Sequence, residues 1–189
     1  MLSIYKRLVS DPQDAWNHIA ALNPPPFSAV HPFCTLGLLL APLGPGIRFA
    51  IRQGFRMGLG QFLLHLLVHT LAYVVLFYSI RREGARLRNS SSDSLSAGQS
   101  VITAGALAAP VWAFSVLLFM PVPCSDWLLL LLGIGMSVYY YTFASASVLA
   151  VPDAEVSKSR IRVVAPFAAT VLIGHLICNW IAGSPIYVR

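Results

Sequence analysis

The sequence predicts an all-α fold: an integral membrane bundle of five transmembrane helices preceded by a short amphipathic interfacial helix. Three observations carry this. Apolar stretches run through roughly 27–47, 57–80, 101–122, 127–151 and 163–183, and crossing a bilayer core of about 30 Å takes about 20 apolar residues of helix. Of the 189 residues, 57% are hydrophobic and 11% charged, against about 25% charged in soluble domains, so polar groups are too few to cover a soluble surface. The basic residues lie at the ends of the apolar stretches, where headgroups would meet them. The net charge of +6 therefore does not point to nucleic acid, because no basic stripe with interleaved aromatics lies on a polar domain.

The chain divides into a cytosolic or interfacial segment, 1–26, and a five-span domain, 27–189. In the first, Ser10-Asp11-Pro12 reads as a helix start, with Pro12 at the first helical position and Asp14 in the first turn. Trp16, Ile19 and Ala20 then share a face. That face suits a helix lying along the interface with Trp16 at headgroup depth, or one packed on the underside of the bundle. Asn23-Pro24-Pro25-Pro26 ends it. No cleavable signal peptide is expected, since Asp11, Gln13 and Asp14 follow Lys6 and Arg7 where an apolar core would have to stand.

The first span contains Pro42-Leu43-Gly44-Pro45-Gly46, which a regular helix does not accommodate, so a kink or a partly re-entrant path is expected. The second span, Met57 to Ile80, is closed by Arg81-Arg82, and a polar connector rich in serine follows to Ser100. The third carries Ala104, Gly105, Ala108 and Ala109, small residues that allow close helix approach, and ends at Pro121-Val122-Pro123. The fourth opens at Asp126-Trp127, and its Tyr139-Tyr140-Tyr141 must face several directions. The fifth follows Lys158, Arg160 and Arg162 and ends at Trp180.

Basic residues set an expected orientation. With five spans, Lys6, Arg7, Arg81, Arg82, Arg86, Arg88, Lys158, Arg160 and Arg162 share one side, nine against the four of Arg48, Arg52, Arg56 and Arg189. A re-entrant first segment gives six against seven and no bias. Five spans with a cytoplasmic N-terminus and an outside C-terminus follow.

Candidate chemistry is sparse. His65 and His69 share one face of the second span and His175 lies in the fifth. Intramembrane histidines suggest a haem or transition-metal site or a proton relay, or else neutral interhelical hydrogen bonding. The pair has no carboxylate neighbour in sequence, and the seven carboxylates fall in connectors or near termini. Arg48, Arg52 and Arg56 stand four apart and would form one basic face, as a phosphate clamp or as snorkelling side chains. Cys34, Cys124 and Cys178 have no metal-binding spacing and read as small buried hydrophobes. Paired acids, a phosphate loop and a nucleophile elbow are all missing, so no enzyme is expected.

Leu8 to Ala20 resembles the opening of bacterial Yip1-family membrane proteins, in which "P-x-x-x-W-x-x-I-A" precedes five spans; Pro12, Trp16, Ile19 and Ala20 fill those positions. Ala108-Ala109-Pro110-Val111-Trp112 resembles the family's third span, and Val151 to Lys158 its last cytosolic loop. The resemblance implies a helical bundle with a cytosolic N-terminus. Eukaryotic relatives work in vesicle traffic with Rab-type GTPases, but their long N-terminal region has no counterpart here, so GTPase binding is not expected.

The resulting expectation is a non-enzymatic scaffold or adaptor in a bacterial inner membrane. Its partners would be membrane lipids and other membrane proteins or a second copy of itself, with no nucleic acid and no cofactor. Contacts with lipid or partner are expected at Trp16, Arg48, Arg52, Arg56, Arg81 and Arg82. The alternatives are a haem- or metal-bearing redox anchor using His65 or His69 with His175, and a transport protein whose path runs by Pro42–Gly46.

Overall fold

A computed structural model describes residues 2–21, 27–87, 95–119 and 125–182, with the side chains of 2–5, 27–33 and 125 excepted. Eight α-helices follow one another in these residues: α1 (Leu2–Ser10), α2 (Pro12–Ala21), α3 (Phe27–Leu40), α4 (Leu43–Gln53), α5 (Phe55–Leu87), α6 (Ala97–Val116), α7 (Ser125–Ser147) and α8 (Val156–Ile181). Short 3₁₀ turns at Leu117–Phe119 and Asp153–Glu155 continue α6 and introduce α8. Five segments are long and apolar enough to cross a membrane: Cys34–Gln53, Phe55–Leu87, Ala97–Phe119, Asp126–Ser147 and Asp153–Ile181. The Asn89–Ser94 linker, Asn23–Pro26 and Pro121–Pro123 lie outside the described residues.

α6 is the centre of the bundle. Its span is 72% buried, against 28–39% for the other four. The cause is composition: Gly98, Ser100, Thr103, Ala104, Ala106 and Ala108 present little bulk, so neighbours approach from several sides. The polar groups near its N-terminus are satisfied locally. Ser96 caps the N-terminus by accepting from Gln99 N at 3.1 Å, and Thr103 Oγ1 donates to Gln99 O at 2.8 Å. Gly133 of α7 sits against α6 so closely that a Cβ there would lie 2.9 Å from Val111 Cα.

Pro42–Gly46 produces a kink. The helix is interrupted only at Ala41–Pro42 and resumes at Leu43, so residues 43–46 are helical after all. Gly44 lies directly against the backbone carbonyls of Ser115 and Val116 at the end of α6, a contact no larger residue permits. Gly54, at φ 92°, then reverses the chain. α4 folds back on α5 as a tight hairpin, with Gly58 against Ala50 and Gly46 against Phe62. At ~1.5 Å per residue, the 33 residues of α5 make it longer than a bilayer core is thick. It runs seven residues past Ile80, so Arg81, Arg82, Glu83 and Arg86 belong to the helix and not to a connector.

The N-terminal segment packs on the bundle. Asp11 Oδ1 accepts from Asp14 N at 3.0 Å and so caps α2 at the helix start the sequence predicts. Trp16 and Ile19 are fully buried. Gln13 and Asn17 reach Ser147 at the end of α7, at 3.3 and 2.9 Å. Of the two sequence readings, the packed helix is the one found. Trp16 is therefore a core residue rather than a lipid contact. α1 adds a further helix that the sequence did not disclose, tied back by Arg7 to Asp14 at 2.7 Å.

Candidate functional site

The buried face of α5 carries an unusual series for a membrane helix. Gly58, Gln61, His65, His69, Ala72, Leu76, Ile80 and Glu83 are all buried, at spacings of three and four residues. Its first half is polar, its middle apolar, and its last turn acidic. α8 lies against this face because Gly174 admits Val68 in close contact. That crossing brings His175 onto the two histidines of α5.

The three imidazoles form one cluster. His65 and His175 have ring centroids 4.6 Å apart with 69° between planes, and His69 and His175 are 5.5 Å apart at 75°. All three are at most 3% exposed. His65 Nδ1 is 2.8 Å from Gln61 O. A carbonyl only accepts, so Nδ1 carries the proton and Nε2 the lone pair. Gln61 Nε2 donates to Cys178 O at 3.2 Å, linking the helices one turn further out. Gln61 Oε1, both ring nitrogens of His69 and His175 Nε2 have no hydrogen-bond partner among the described residues.

A small niche leads from this cluster to the end of the bundle where Gly54 turns the chain. It is lined by Pro45, Arg48, Phe49, His65, Leu118, Asp126, Trp127, Leu130, His175 and Asn179, with about 10 Å³ of free volume, close to what one water needs. At its mouth Arg48 and Asp126 form an ion pair, 21% and 31% exposed. Two sequence expectations change here. The histidines do have a carboxylate close by, Asp126, which tertiary packing rather than sequence supplies. And Arg48, Arg52 and Arg56 do not form one face, because Gly54 puts Arg56 on a different helix. Arg48 turns inward to Asp126, while Arg52 and Arg56 stay exposed.

The opposite end of α5 holds a second polar centre that the sequence reading placed in a connector. Glu83 is 3% exposed and accepts from Arg86 and Arg162, each through two bonds of 3.0–3.1 Å. Arg86 also donates to Glu155 at 2.5 Å. Tyr141 and Ser159 hydroxyls, 2.6 Å apart, complete the junction of α7 and α8. Charges balance, two arginines against two glutamates, which is the arrangement of a structural clamp. Arg81 and Arg82 remain exposed, with Arg81 over the Phe77 ring at 5.8 Å. The only sequence-level signal for Glu83 was its spacing from Ile80 and Leu76 on the buried face.

An apolar groove of about 380 Å³ opens sideways between α3, α6 and α7, closed at one end by Leu8 and Val9 of α1. Leu36, Gly37, Ala109, Trp112, Ala113 and Tyr140 are among its walls. Cys34 and Cys178 are buried free thiols, as expected of small hydrophobes; Cys124 lies outside the described residues. Among the described residues, no three His, Cys, Asp or Glu side chains already converge as metal ligands do. Compared with known proteins, the chain matches no protein-family model, no curated protein and no solved structure.

Proposed function

We propose that this chain is a non-enzymatic membrane scaffold of the Yip1-like type that works by holding lipid at its bundle surface. The observation that supports this reading is the sideways-open groove of about 380 Å³ between α3, α6 and α7, within the size range of small-molecule sites. Its lining side chains are apolar apart from the polar tips of Trp112 and Tyr140, which suits an acyl chain. α1 lies over one end, and its exposed Lys6 offers a cation where the headgroup of that lipid would sit. The basic residues support an orientation with this end in the cytoplasm and Gly54 outside, in keeping with a bacterial inner membrane.

The test is lipid mass spectrometry on protein purified in mild detergent. Ala113→Trp fills the groove, and Leu67→Trp places the same bulk on an exposed face of α5 away from it. Wild type and L67W are expected to retain phospholipid, and A113W to lose most of it. Equal retention in all three would sink the lipid-holding reading.

A further inference from the structure

We propose that the groove between α3, α6 and α7 seats one acyl chain of an anionic phospholipid, over a length of about 13 carbons, while the second chain stays in the bilayer. This deepens the lipid-holding reading and rests on it.

Volume sets the number of chains. A methylene group takes about the volume of one water in the liquid, ~30 Å³. The groove's 380 Å³ therefore holds about 13 of them, which is one chain and not two. Because the groove opens sideways, a second chain on the same glycerol can remain among the surrounding tails.

The walls keep that volume open. A Cβ at Gly37 would lie 2.2 Å from Trp112 Cε3, so glycine at this position lets the indole, itself 3% exposed, lie back against α3. At the α1 end Leu8 is packed in place and buried. Lys6 stands two residues before it and is exposed, which sets a cation beside the neck of the seated chain, complementary to a phosphate. Arg7, the neighbouring cation, is instead paired with Asp14 at 2.7 Å.

Packing then selects chain length. Groove and bilayer are equally apolar, so hydrophobic transfer does not favour entry. A chain that is too short leaves part of the wall without contact atoms and loses dispersion attraction. Carbons beyond the groove's capacity return to the surrounding tails and gain nothing. Retention therefore climbs with chain length until the groove is full and then levels off.

The test uses protein stripped of lipid in mild detergent, with bound lipid counted by native mass spectrometry. The probes are lysophosphatidylglycerols with chains from well below the groove's capacity to well above it, and diacyl phosphatidylglycerols of matching chains. One lipid per protein is expected, with retention rising at least about 5-fold up to ~13 carbons and flat beyond. Single-chain and two-chain forms should be held alike. A lysophosphatidylcholine of equal chain should be held about 5-fold less well, a difference that Lys6→Gln removes. Leu8→Ala and Met136→Ala each take three heavy atoms from the lining, which should move the plateau up by about three carbons. Leu67→Trp, on an exposed face of α5, should leave it in place. Because Leu8→Ala can also loosen α1, Met136→Ala decides. Retention that ignores chain length, a clear preference for two chains over one, no preference for the anionic head, or a plateau unmoved in Met136→Ala overturns this inference and leaves the lipid-holding reading standing. A wild type that holds no lipid overturns both.

Discussion

Glu83 is the residue whose loss the structure predicts most sharply. It is 3% exposed and takes four guanidinium hydrogen bonds from Arg86 and Arg162. Glu83→Gln keeps the shape and removes the charge. Breaking a fully buried pair costs about 3–5 kcal/mol. Here the two arginines are 39% and 41% exposed, and both also reach Glu155, at 2.5 and 3.6 Å. Solvent and that second carboxylate reduce the cost to about 2 kcal/mol, some 30-fold in the unfolding equilibrium. Glu155→Gln removes an acid that is 40% exposed and is expected to cost about 0.5 kcal/mol. Both are read from equilibrium unfolding in mixed micelles, by helix content against denaturing detergent. A difference between the two variants under about 0.5 kcal/mol would refute the claim that burial makes Glu83 the centre of the clamp.

Three further outcomes follow from the packing. Gly133→Ala should destabilise by about 1–3 kcal/mol, because its methyl meets the backbone of Val111, while Gly135→Ala, with nothing within 4 Å, should be neutral or gain up to about 1 kcal/mol; equal effects would contradict the α6–α7 crossing. Trp16→Ala should cost about 3–5 kcal/mol and open the first 21 residues to proteolysis, whereas Trp16→Phe should cost little, since the indole N–H has no partner to lose among the described residues; protease-resistant W16A would place Trp16 outside the core. For orientation, cysteines introduced at the exposed Gln53 and Ser157 should label from outside the cell at Gln53 only, and the reverse pattern would invert the proposed topology.

The five-span, all-α architecture was legible because the bilayer length requirement is severe and soluble domains seldom contain apolar runs of that length. The small residues of the third span signalled close helix approach, and the structure shows that span to be the most buried. Legibility stopped where partners come from distant segments. Asp126 is 78 positions from Arg48, and Arg162 is 79 from Glu83, so neither ion pair leaves a local pattern. Arg48, Arg52 and Arg56 misled because a four-residue period implies one face only if the helix is continuous, and Gly54 breaks it. The histidine pair was visible by its i, i+4 spacing; that His175 joins it depends on the register of α8 on α5, fixed by Gly174 and Val68.

The order of residues on the buried face of α5 bears on transport, the remaining expectation from the sequence. Pro45 of the kinked segment does line the niche beside His65, so that segment and the polar cluster belong to one feature. Polarity then stops at His69 and resumes only at Glu83, with Ala72, Leu76 and Ile80 buried between them. Fourteen residues at about 1.5 Å each make a dry interval of ~21 Å, most of a bilayer core. A hydrated ion moving along this face would lose its solvation, because Ala72, Leu76 and Ile80 offer no polar side chain to replace it. At the far end of that interval Glu83 is already saturated by two arginines, so it offers a departing cation no free acceptor. The buried face of α5 therefore gives an ion no continuous polar path. Protein reconstituted in liposomes is expected to pass small cations no faster than empty vesicles, and a protein-dependent cation flux would show that the Ala72–Ile80 interval opens.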